Sequence, residues 1–127
     1  MKLRIKGNSL RLRVSQPELR QLLAEGRVEE TIHFGNAPDA RLTYALIQRP
    51  IARAGATVEY QAGAVTVVLS HAYATDWLHN NEVGIYAEID TPAGPLGVSI
   101  EKDFACLDGD EPVDPDAFPN PKAGTAC

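Results

Sequence analysis

Cysteine is scarce: Cys106 and Cys127 are the two in 127 residues, too few for a disulfide scaffold. Long apolar runs are lacking too. Val67-Val68-Leu69 is typical of those present, and none approaches the ~20 residues needed to span a bilayer. The opening Met1-Lys2-Leu3-Arg4-Ile5-Lys6 alternates charge with apolar residues and lacks the apolar core of a secretory signal. No Gly-rich phosphate loop, nucleophile elbow or paired-carboxylate motif occurs, so no pattern argues for catalysis. With 44% hydrophobic and 23% charged residues the composition is that of an ordinary folded domain. One cytoplasmic core is expected.

The net charge of −5 conceals a split. Residues 1–27 carry seven cations against two acids, whereas residues 28–102 carry four against nine. Residues 103–127 carry one cation, Lys122, against six acids. A basic head and an acidic tail on one short chain either serve separate partners or lie against each other.

The first hundred or so residues read as strands. Leu3 and Ile5 alternate with Lys2, Arg4 and Lys6, and Leu10, Leu12 and Val14 alternate with Arg11 and Arg13, across a Gly7-Asn8-Ser9 turn. Ser15-Gln16-Pro17-Glu18 has the form of a capping box, with proline in the first turn. Leu19, Leu22 and Leu23 supply an apolar stripe, and Gly26 ends the helix. Strand character returns around Val28, Ile32 and Phe34 and again around Leu42, Tyr44 and Leu46. The same succession follows from Val58 to Ile100, with Ser70 as a second N-cap candidate. Residues 10–34 lie on residues 65–89 without a gap, Ser15 meeting Ser70 and Val28 meeting Val83. The expectation is a β-rich α+β chain of two ββαββ repeats, about 1–49 and 56–102, forming an antiparallel sheet or barrel. An irregular proline-rich acidic tail, 103–127, packs on the body through its phenylalanines.

Two resemblances are carried by these residues. Lys6-Gly7-Asn8-Ser9-Leu10 running through Val14-Ser15 into a short helix resembles the opening of AbrB-like and MazE-like swapped-hairpin DNA-binding domains. It implies a DNA-binding regulator, either a dimer or a pseudo-dimer within one chain, although that family has no need of the long hairpin through Phe34 and Tyr44. Across most of the chain, Lys6–Arg13, Glu29–Gly35, Glu101–Leu107 and Phe118–Pro121 resemble a small family of bacterial proteins with no assigned activity. That resemblance implies a compact bacterial cytoplasmic protein and no particular function.

Four groups are candidate sites. Lys2, Arg4 and Lys6 share one parity and Arg11 and Arg13 another, so the hairpin turns five cations to one face as an anion-binding surface. Nucleic acid is disfavoured by a pI of about 5.1 and by the lack of aromatics among the cations. Glu30 shares parity with Val28, Ile32 and Phe34, and Lys102 with Leu96, Val98 and Ile100. A carboxylate on a core face must be paired or protonated, so a buried Glu30–Lys102 pair is the economical expectation. Cys106 and Cys127 can be free thiols, a disulfide, or ligands of zinc or another transition metal. No cofactor is otherwise predicted, since close ligand pairs such as Cys-x-x-Cys are missing. The acids from Asp108 to Asp116 lack EF-hand spacing and read as a solvated linker. Taken together, the residues describe a non-catalytic binding module for an unidentified protein or anionic ligand, without a membrane partner, as monomer or homodimer.

Overall fold

Alternating charged and apolar residues build the first hairpin, β1 (Lys2–Lys6) and β2 (Ser9–Val14). In this computed structural model, residues 1–50, 55–104, 115–116 and 118–119 are described. Helix α1 (Gln16–Glu25) starts at Ser15 by the expected capping box: the Ser15 hydroxyl accepts from the Glu18 N–H, and the Ser15 N–H donates to Glu18 Oε1 at 2.9 Å. It stops at Gly26, whose φ of 81° is open to glycine at little cost and whose N–H returns to the Leu22 carbonyl. There follow β3 (Arg27–His33), β4 (Arg41–Arg49), β5 (Ala56–Gln61), β6 (Ala64–Ser70), α2 (His71–His79), β7 (Gly84–Thr91) and β8 (Gly94–Lys102). Ser70 caps α2, accepting from the Tyr73 N–H at 3.2 Å.

The element order is thus ββαββ twice, but the hairpins are exchanged. One sheet runs β1-β2-β8-β7 and the other β3-β4-β6-β5, so each takes one hairpin from each half. The expected antiparallel sheet or barrel is corrected. Each sheet is mixed, with β2 parallel to β8 and β4 parallel to β6, and the two sheets are not hydrogen-bonded into a closed barrel. The reason is topological. Each helix carries the chain from one sheet to the other, and the inner strand of each hairpin meets its counterpart from the other half running the same way.

The sheets and helices enclose one core of Leu12, Val14, Val98, Ile100 and Ile85 from one sheet, Val28, Leu46, Val67 and Leu69 from the other, and Leu19, Leu22, Ala74 and Trp77 from the helices. In the second sheet the central parallel pair is buried on both faces, since Ala45, Ile47 and Val68 are as inaccessible as Leu46, Val67 and Leu69. This accounts for the unbroken apolar runs there, where alternation would be expected of a half-exposed strand.

The gapless overlay of the halves is also corrected. Leu10 stands beside Val98 as Val65 stands beside Tyr44, which equates Ile100 with Leu46. Val28 pairs with Leu46, and it is Ile85, not Val83, that pairs with Ile100. Val28 and Ile85 are both buried, whereas Val83 is 50% exposed. Two extra residues therefore lie between α2 and β7. Being an even number, they leave the side-chain alternation undisturbed.

Candidate functional site

The basic face is assembled by strand register. Lys2 stands opposite Arg13, Arg4 opposite Arg11 and Lys6 opposite Ser9, so all five cations share the outer face of the β1–β2 hairpin. The rows continue across the sheet: Arg11 neighbours Ser99 and then Tyr86, and Arg13 neighbours Glu101 and then Gly84. Glu101, its side chain only 15% exposed, is the internal counter-charge, with Oε1 at 3.0 Å from Arg11 Nε and 3.8 Å from Arg13 Nε. The Tyr86 hydroxyl donates to Glu101 Oε2 at 3.0 Å. Burial, and then this bond to a carboxylate, hold the Tyr86 phenol above its ordinary range.

Gly84 makes room for that arrangement. A Cβ there would sit 2.8 Å from the Ile100 carbonyl oxygen and 3.0 Å from both Glu101 Cγ and the Tyr86 hydroxyl. At the other end of the face, Lys2 pairs with Asp103 at 2.9 Å, the first acid of the C-terminal segment. Arg4 and Lys6 remain: among the described residues neither has a carboxylate partner. With Arg11, Ser9, Ser99 and Gly97 they line a shallow groove of about 220 Å3. The Ser9 hydroxyl donates to the Lys6 carbonyl at 2.6 Å, which leaves three cationic side chains and the Ser99 hydroxyl around one depression as a donor set suited to an oxyanion.

A family model matches residues 1–122. The chain belongs to DUF7009, a family of unknown function. Neither the curated proteins nor the solved structures gave a match. The match bears out the resemblance to a family without assigned activity, and it takes in the whole basic face of the DUF7009 chain.

The other expected groups are placed differently. Glu30 and Lys102 lie in different sheets and are not paired, which corrects the buried ion pair. Glu30 is exposed and accepts from the Tyr44 hydroxyl at 2.8 Å, with the Met1 ammonium at 3.6 Å. Inward parity does not bury it, because β3 is an edge strand whose far end projects past the core; Ile32 and Phe34 on the same parity are 47% and 68% exposed. The Glu30 bond is the chief reason the Tyr44 phenol is raised above its ordinary range. Lys102 donates to the Asn80 carbonyl at 2.7 Å and lies 5.6 Å from the centre of the Trp77 ring. Phe104 and Phe118, expected to pin the tail, are 60% and 97% exposed, and most of the tail lies outside the described residues.

Cys106 and Cys127 lie outside the described residues. Among the described residues no group of three or more His, Cys, Asp or Glu is placed to hold a metal. No described helix of the DUF7009 chain is long and apolar enough to cross a membrane. Glu101, Tyr86 and Gly84 were not legible as site residues. They come from the last hairpin, and only the parallel β2–β8 pairing brings them beside Arg11 and Arg13.

Proposed function

We propose that the protein is a small bacterial cytoplasmic binding module, without catalytic activity, whose basic face holds an anionic partner. The observation that supports this reading is the pair Arg4 and Lys6, without carboxylate partners among the described residues, beside Arg11 and the Ser99 hydroxyl in one groove. Lys2 already engages Asp103, which supports a second element of the reading: the acidic segment shields the face from other anions. Deleting the residues after Leu107 is expected to raise affinity for an immobilised polyanion such as heparin. Replacing Arg4 and Lys6 with glutamine in that shortened chain is expected to reverse the gain. Negligible retention of both the full and the shortened chain would refute the reading.

A second reading, a DNA-binding regulator of the swapped-hairpin kind, is favoured by the exchange of hairpins between the halves, a pseudo-dimer within one chain. It calls for duplex binding whose affinity falls steeply with salt, a dependence that distinguishes it from recognition of an acidic protein surface by a few groups. The metal reading rests on Cys106 and Cys127. Native mass spectrometry with a thiol count decides it: bound metal with both thiols protected supports it, and two reactive thiols without metal refute it.

A further inference from the structure

The two halves of the molecule differ where α1 and α2 meet the carboxyl ends of the parallel strands. In the first half Gln48, at the end of β4, ties the two helices together. Its amide donates to the Leu23 carbonyl in the last turn of α1 at 3.2 Å, and its Oε1 lies 2.9 Å from Nδ1 of His71 in the first turn of α2. The strand registers make Lys102 its counterpart, since Lys102 stands beside Val14 as Gln48 stands beside Leu69. Lys102 reaches only the α2 side, at Asn80 and Trp77. Gln16, which occupies the place of His71, turns instead to Arg20 within α1, at 3.5 Å. Among the described residues no side chain spans from Lys102 to α1, and the two extra residues after α2 set that connection off from its counterpart.

The result is a cleft of about 390 Å3, within the ~300–1,000 Å3 of small-molecule sites. Val14, Leu19 and Leu78 line it with apolar surface, Phe104 stands at its edge, and Arg20 and Lys102 are its cations. Neither cation has a carboxylate partner among the described residues. The cleft's one acid, Asp103, is turned to Lys2. An apolar floor beneath two cations that lack a carboxylate partner among the described residues fits a molecule with a compact hydrocarbon body and one negative group. We infer that this cleft binds a small amphipathic carboxylate, independently of the basic face on the β1–β2 hairpin.

The test is a heteronuclear NMR titration of the full chain with benzoate and hexanoate, and with benzamide and hexanamide as uncharged counterparts. Saturable shifts at Leu19, Arg20, Leu78 and Lys102 are expected for at least one carboxylate, with the matching amide bound about tenfold more weakly. Arg20→Gln, on an exposed helical position, and Lys102→Met should each weaken carboxylate binding by about tenfold with the spectrum otherwise preserved. Arg4→Gln with Lys6→Gln should leave it unchanged, so this proposal can fail while that of the basic face stands, and the reverse. Absence of saturable shifts, equal binding of acid and amide, or shifts confined to the β1–β2 face would each overturn it.

Discussion

Gly84 and Glu18 show how single positions set the site and its neighbourhood. Gly84 opens the edge strand β7 at a point where a larger residue has no room: the Ile100 carbonyl, a backbone atom that cannot rotate away, lies 2.8 Å from where a Cβ would be. Gly84→Ala is expected to cost about 1–3 kcal/mol by overpacking and to displace Tyr86 from Glu101. Denaturant unfolding gives the first quantity, and the phenol titration of Tyr86 gives the second. Glu18 closes the capping box and also meets the buried Met1 ammonium. Burial pushes its carboxyl up, but the ammonium and the hydrogen bonds with Ser15 outweigh this, and the net shift is downward from 4.5. A carboxyl lowered in the folded state contributes stability above its unfolded value and loses it as pH falls through the folded one. Stability is therefore expected to decline as pH drops below 4.5, and Glu18→Gln should flatten that part of the curve, as urea midpoints across the acid range would register.

The hairpins, rather than the repeats, are the units that pair. Because β2 lies against β8 and β4 against β6, neither half can complete a sheet alone. A fragment of residues 1–50 keeps two hairpins that do not pair with each other and a helix without its partner, and an isolated two-stranded hairpin is marginal at best. It is expected to be unfolded by circular dichroism and to gain structure when the complementary fragment from residue 55 onward is added. A fragment that folds as a monomer would mean that each half can pair its own hairpins. The connection after α2 shows how the second half departs from the first. Glu82 accepts from Trp77 Nε1 at 3.0 Å through its carbonyl, and its N–H donates to Asn80 Oδ1 at 3.0 Å, so the two extra residues are tied down.

Charge organises the molecule as a whole. Glu101 neutralises the centre of the basic face, Asp103 meets Lys2 at its rim, and Arg4 and Lys6 are left facing solvent. Removing Arg4 and Lys6 therefore breaks no ion pair among the described residues. The double glutamine variant should lower the salt concentration at which the shortened chain elutes from heparin while leaving its free energy of unfolding in urea within about 0.5 kcal/mol of the parent.

Composition and local pattern determined much of this by themselves. Period-two alternation marked the strands, Ser15, Glu18 and Ser70 marked the helix starts, and the parity of Lys2, Arg4, Lys6, Arg11 and Arg13 placed five cations on one face. These are properties of a few neighbouring residues, and local geometry suffices to express them. Which hairpin pairs with which is a different matter, because alternation reads the same in a parallel and an antiparallel ladder. The exchange of hairpins between halves, the two-residue insertion that keeps parity, the separation of Glu30 from Lys102, and the convergence of Glu101 and Tyr86 on Arg11 all follow from contacts between residues distant in the chain. The helical crossovers between the sheets decided those, and through them the basic face and the cleft beside Lys102.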